Sequence, residues 1–250
     1  MNGNSNLWKK PSRIWFSAME KIETFTKWMK TNGATFDKIS MRYYGPDYRG
    51  VHTTKQINQY ELFLHVPQKL IVTSQMGKET AIGAKVLESG VEISWDYLTY
   101  ITIFLLTQFH DPKSWWKSYM EVYPKDVSTF PMFYTEEEKK LLVGSPMCKH
   151  IDEEIEEIKE EYDAIVKAVP EFKQFTLEEY MKNKTLVISR IFYVKVHGTT
   201  ERIMVPLADM FNHHYERLGE TFWKYDDKDD AFIVYAQKPL KSGDPVLFLV

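Results

Sequence analysis

The chain has 250 residues, 44% of them hydrophobic and 15% aromatic, so it can bury a core and is too apolar for a disordered polypeptide. A formal net charge of −3 excludes the general basic footprint of a nucleic-acid binder, and no nucleic-acid partner is expected. The single cysteine, Cys148, excludes an internal disulfide framework and a Cys-rich structural zinc site, and it fits a reducing compartment.

Residues 1–11, M-N-G-N-S-N-L-W-K-K-P, lack the apolar stretch of a signal peptide, and Asn2 stands where myristoylation needs glycine. Apolar residues at helical spacing, Phe16, Met19, Ile22, Phe25, Trp28 and Met29, predict a helix over 14–29, stopped by Asn32-Gly33. Residues 38–42 read as a short strand and Gly45-Pro46-Asp47 as a turn. Alternation over 59–66 predicts a half-buried strand with Tyr60, Leu62, Leu64 and Val66 on one face, ended by Pro67. Residues 69–73 read as a further extended run.

From about residue 76 to 184 the pattern turns helical. Residues 95–109 predict a core helix, since the apolar run 97–109 is too short to span a bilayer and carries Thr99, Thr102, Thr107 and Gln108. A shorter helix follows over 115–120. Thr-Glu-Glu-Glu at 135–138 starts another in the manner of a capping box. Ile151, Ile155, Ile158, Tyr162, Ile165 and Val169 predict a long amphipathic helix stopped by Pro170, with residues 152–161 as a solvated acidic face. A last helix is expected over 176–189. Extended segments then return at 191–196, 202–206, 231–237 and 246–250, with turns at His197-Gly198, 226–230 and 239–244.

The expected fold class is therefore α+β, a β-rich core of short strands split by a large helical insertion. Residues 1–75 would supply the N-terminal helix and first part of the core, 76–185 the insertion, and 186–250 the second part. A soluble intracellular protein, cytoplasmic or nuclear and without a membrane partner, is expected. Oligomeric state is not legible.

Three constellations carry polar chemistry. In Asp47-Tyr48-Arg49-Gly50, a glycine between an acidic turn and a strand lets backbone approach a ligand closely, although an ordinary β-turn has the same composition. In Ser189-Arg190-Ile191-Phe192, an arginine at a helix-to-strand junction is placed for a two-pronged carboxylate contact or a surface salt bridge. In residues 204–214, M-V-P-L-A-D-M-F-N-H-H, Asp209 can tie down the turn after a buried strand while Asn212 and His213 turn backbone groups toward a ligand. Asp209, His213 and His214 also read as nitrogen and oxygen metal ligands. Their spacing matches no metal-site pattern and no further cluster completes them, so no metal is expected.

P-L-A-D-M-F-N-H resembles the Asn-His motif of SET-domain methyltransferases, in the branch of the plant Rubisco large-subunit lysine methyltransferase and the actin-histidine methyltransferase. The loop around Arg49-Gly50, followed by Val66-Pro67-Gln68-Lys69-Leu70, is similar to the family's glycine-rich cofactor loop and its V-P-x-x-L. Asp47 stands there for the usual Glu and Tyr48 for the usual Gly. Ser189 to Phe192 resembles the family's S-R-x-F. The resemblance implies S-adenosyl-L-methionine as cofactor, held by Asp47, Arg49, Gly50, Arg190, Asn212 and His213. Phe192 and Asp209 would belong to the substrate channel. It implies a protein or peptide substrate and methyl transfer to lysine, because Phe192 and Ala208 replace the Asn and Trp of the actin-histidine branch. The family's catalytic tyrosine comes from a late segment like Gly243-Asp244-Pro245-Val246-Leu247-Phe248-Leu249-Val250. Aligned without a gap, Val250 falls on that tyrosine, so no catalytic residue is identified. A truncated enzyme is expected, with a non-catalytic SET-like interaction module as the alternative.

Overall fold

The computed structural model describes residues 13–44, 49–214 and 220–248, with side chains from Ser17 onward. The expected Gly45-Pro46-Asp47 turn, Asp47 itself and Val250 lie outside the described residues. Helix α1 (Arg13–Thr31) buries Phe25 and Met29 and leaves Met19 exposed. Strands β1 (Ile39–Tyr43) and β2 (Arg49–Thr53) pair antiparallel. Strand β3 (Leu62–Pro67) starts later than the alternation predicts. A register shift between Leu62 and Leu64 inserts a bulge, which sends Phe63 and Leu64 both inward and leaves Leu62 exposed. Tyr60, expected on the buried face, sits at φ 62° and is 73% exposed. Residues 68–70 form a 3-10 turn rather than an extended run. The Ile71 amide closes it on the Gln68 carbonyl and Leu70 is buried, before the two-residue strand β4 (Val72–Thr73).

The helical block contains α2 (Ser74–Lys78), α3 (Ala81–Ser89), α4 (Asp96–His110), α5 (Lys117–Val122), α6 (Glu136–Lys140), α7 (Pro146–Ala168) and α8 (Leu177–Ile188). Local chemistry sets its boundaries. Thr135 and Glu138 form the expected capping box, Thr176 and Glu179 a second, and Ser145 caps α7 with Pro146 in its first turn. Helix α4 is buried continuously from Leu98 to Leu106, and α2 crosses it at Gly77. A Cβ on Gly77 would lie 1.8 Å from the Tyr100 carbonyl oxygen, so only glycine permits this crossing.

One part of the acidic face of α7 departs from the sequence reading. Glu161 is not solvated: its carboxylate accepts hydrogen bonds from the Lys184 ammonium, the Tyr180 hydroxyl and Thr99 Oγ1. The side chains of Lys184 and Glu161 are only 5% and 10% exposed. The heptad-like spacing places Glu161 beside the buried stripe, and α8 arrives with a lysine that needs a counter-ion.

After α8 come β5 (Ile191–Val196), β6 (Thr199–Met204), β7 (Asn212–His213), β8 (Thr221–Asp226), β9 (Ala231–Ala236) and β10 (Leu247–Phe248). Strand β8 is not anticipated by the sequence reading, although Thr221 and Tyr225 face inward at alternate positions. One three-stranded sheet has the order β3-β9-β8 and the other β4-β6-β5, all antiparallel, while β10 runs parallel to β7. Strands from before and after the helices thus share both larger sheets. The returning chain is fastened to β2 as well, through Val246 N–H to Val51 O and Thr53 N–H to Asp244 O. Two buried apolar clusters result, one centred on the strands and one among α3, α4, α7 and α8.

Two substitutions test this packing. Gly77→Ala drives a Cβ into backbone and should cost at least ~3 kcal/mol in urea denaturation. Glu161→Ala strands a buried ammonium and should cost about 3–5 kcal/mol in the same measurement.

Candidate functional site

A cleft of about 760 Å³ opens where α1, β1, β2, the end of α5, the end of α8 and the 208–213 segment meet. That volume suits a small-molecule ligand. Arg49, Arg190, Asp209, Asn212 and His213 all line it. Five residues proposed from three separate stretches of sequence are therefore brought together.

The turn that presents Asp209 is strained. Leu207, buried and not glycine, has φ 73° and ψ −45°, a conformation costing on the order of 1–3 kcal/mol. It reverses the chain after Pro206 so that Asp209 N–H bonds Val205 O at 2.9 Å and the Asp209 side chain turns inward. That carboxylate is wholly buried. Its Oδ2 accepts from Tyr119 Oη at 2.8 Å and from Arg190 Nη1 at 3.2 Å, and the same Nη1 donates to the Asp209 carbonyl at 2.6 Å. The carboxylate locks Arg190 in place. Burial pushes the Asp209 carboxyl above its ordinary range, opposed by Arg190, Tyr119 and Arg49.

The second guanidinium is equally enclosed. Arg49 Nη1 donates to the Val122 carbonyl at the end of α5. Burial, and next the charge of Arg190, hold Arg49 below the usual guanidinium range. Arg49 Nη2, Arg190 Nε and Tyr123 Oη are buried without a hydrogen-bond partner. With the buried Asp209 Oδ1 these make four unsatisfied polar atoms around two guanidiniums and one carboxylate, a net positive and donor-rich environment. Such an environment fits a carboxylate-bearing ligand.

Gly50 adds a close approach rather than a contact. A Cβ there would sit 2.9 Å from Asn212 Nδ2, and that amide donates to Arg49 O at 3.1 Å. Asn212 is half-buried and His213 exposed, on β7 beside β10. Phe192 is not part of the cleft. Its ring packs against Phe232 at 5.0 Å, Phe248 at 5.5 Å and Trp223 at 5.8 Å, in an aromatic cluster under β5. Sequence reasoning missed Tyr119 and Tyr123. Tyr119 lies on α5 and Tyr123, in extended conformation, caps its C-terminal end. Among the described residues no group of three or more His, Cys, Asp or Glu could hold a metal ion, and no helix is long and apolar enough to cross a membrane.

The split β frame has solved counterparts. The SET domain of LSMT bound to lysine and AdoHcy superimposes with a TM-score of 0.78 at 20% identity, covering 92% of this chain and 54% of that one. Rubisco LSMT bound to AdoMet does so with a TM-score of 0.75, covering 92% and 52%. The chain has the SET-domain fold. In sequence this SET-domain chain is similar to the actin-histidine N-methyltransferase of Xenopus tropicalis, 24% identical over 231 residues, or 88% of this chain and 39% of that protein. The Mus musculus enzyme matches at 24%, with 88% and 38% covered. The SET-domain chain therefore spans about two fifths of the length of these relatives. No family model matches it.

Gly50→Ala separates the site from the fold. The atom it displaces is the tip of a side chain, so the melting temperature should move by no more than about 2–4 °C. The Asn212 side-chain amide resonance should shift as its bond to Arg49 O is lost. An unmoved resonance would show that the close approach is immaterial.

Proposed function

We propose that this chain carries the cofactor site of a SET-type protein N-methyltransferase that uses S-adenosyl-L-methionine and is directed at lysine. The observation that carries the reading is the pair of enclosed guanidiniums with unsatisfied N–H groups, Arg49 and Arg190, organised by Asp209 in a cleft that also holds Asn212 and His213. The methionine half of the cofactor bears a carboxylate, which these donors suit. Gly50 leaves room for close backbone approach, and Asn212 and His213 would hold the adenine end. When bound, the cofactor supplies an electrophilic methyl group on a sulfonium.

The remaining chemistry belongs to the protein. A free lysine titrates near about 10.4 and must be neutral to attack, so the enzyme has to align it and strip its solvent. The aromatic cluster of Phe192, Trp223 and Phe248 provides an apolar wall of the kind that disfavours an ammonium. Phe192 and Ala208, in place of the Asn and Trp of the actin-histidine branch, support lysine over histidine as the acceptor. Asp209 acts on this reading as the residue that fixes Arg190.

Isothermal calorimetry with S-adenosylmethionine should show saturable binding, and Arg190→Ala should weaken it by about thirtyfold or more, as expected for truncating one partner of a buried charge pair. No heat from the wild type, or an unchanged affinity in Arg190→Ala, would sink the cofactor assignment. Labelled methyl incorporation into paired peptides carrying either lysine or histidine decides the acceptor. Preference for histidine would overturn the lysine reading and leave the cofactor site standing.

A further inference from the structure

We infer that Tyr119, a residue of the helical block, is a positioning residue of the cofactor cleft: its hydroxyl holds the Asp209 carboxylate in the orientation that aims Arg190 at the ligand. The inference rests on the cofactor reading above and extends it to a side chain outside the β core. Asp209 Oδ2 has two donors, Tyr119 Oη at 2.8 Å and Arg190 Nη1 at 3.2 Å, whereas the buried Oδ1 has no partner. Tyr119 is therefore the donor that fixes the carboxylate independently of the arginine it serves. Helix α5 also supplies the Val122 carbonyl that anchors Arg49. One six-residue helix thus restrains both guanidiniums of the cleft.

The Tyr119 ring is itself immobilised. It is fully buried, stacked on Phe25 of α1 at 6.1 Å and set edge-on to Tyr123 at 5.7 Å. Burial holds its hydroxyl well above the ordinary phenol range, so it remains a donor. The charged and titratable groups facing Asp209 are Arg190 ahead of β5, Arg49 on β2, and Tyr119 on α5 with Tyr123 just after it. Removing the Tyr119 hydroxyl takes away a donor to the ionised carboxyl. Asp209 then accepts a proton more readily, and Arg190 loses its counter-charge.

Tyr119→Phe keeps the ring and deletes only the hydroxyl. Its affinity for S-adenosylhomocysteine should fall about 10-fold to 100-fold, the range for a hydrogen bond to a charged group. Its affinity for methylthioadenosine, which lacks the carboxylate, should not change. On acidification, S-adenosylhomocysteine binding should begin to fail at a higher pH in the variant than in the wild type. In an Asp209→Asn background the Tyr119→Phe change should have no further effect, a cycle that also covers any general loosening of the fold. Equal loss of both ligands, or additive effects in the cycle, would assign Tyr119 a packing role and overturn the inference. So would a variant indistinguishable from a wild type that binds. A wild type that binds neither ligand overturns the cofactor reading itself, and this inference with it.

Discussion

Asp209 is the point on which the site depends. A carboxylate withdrawn from water is costly unless it is paired and hydrogen-bonded. Here it faces Arg190 and Tyr119 directly, with Arg49 close by, and one oxygen is left unsatisfied. Its pKa is raised by burial, so its contribution to stability is present below its unfolded value and is lost as pH rises through the folded one. Asp209 fixes Arg190 and places a negative charge near Arg49, whose guanidinium Arg190 would otherwise only repel, and it does so beside a strained Leu207. Unsatisfied donors and backbone strain of this kind tend to cluster at functional sites.

The β frame makes that placement possible. Arg49 lies on β2, Arg190 precedes β5, and Asp209 to His213 lead into β7, so no two of these stretches are neighbours in sequence. They converge because β3 pairs with β9, β4 with β6, and the segment after β9 returns along β2 before β10 joins β7. The helical block is part of the same construction. Its α5 reaches across to Arg49 through the Val122 carbonyl and to Asp209 through Tyr119, and α1 lines the same cleft with Ser17 and Lys21.

Much of this was legible from residues. Helix boundaries at Thr135, Thr176 and Pro170 follow from capping and from the missing proline N–H, which act over a few residues and need no tertiary context. The Arg190 and Asn212-His213 stretches were picked out because their residue types suit a carboxylate and a turn. The errors have a common origin. Tyr60 and Leu62 were placed inside because alternation cannot reveal a bulge, and Glu161 was placed outside because charge alone cannot reveal a lysine arriving from another helix. Phe192, which family resemblance places in the substrate channel, packs with Trp223, Phe232 and Phe248 outside the cleft of Arg49 and Arg190.

The sequence by itself determined most local elements and the α+β class, because periodicity and caps are properties of short segments, and its resemblance to a known family marked five residues that share the cleft. Tertiary structure alone decided that these five converge, that Tyr119 and the Val122 carbonyl complete the arrangement, and that Asp209 is buried rather than displayed. Those outcomes depend on strand pairing and helix crossings between residues up to about two hundred positions apart, such as Thr53 with Asp244. No short-range pattern encodes which partner a strand or a buried charge will find.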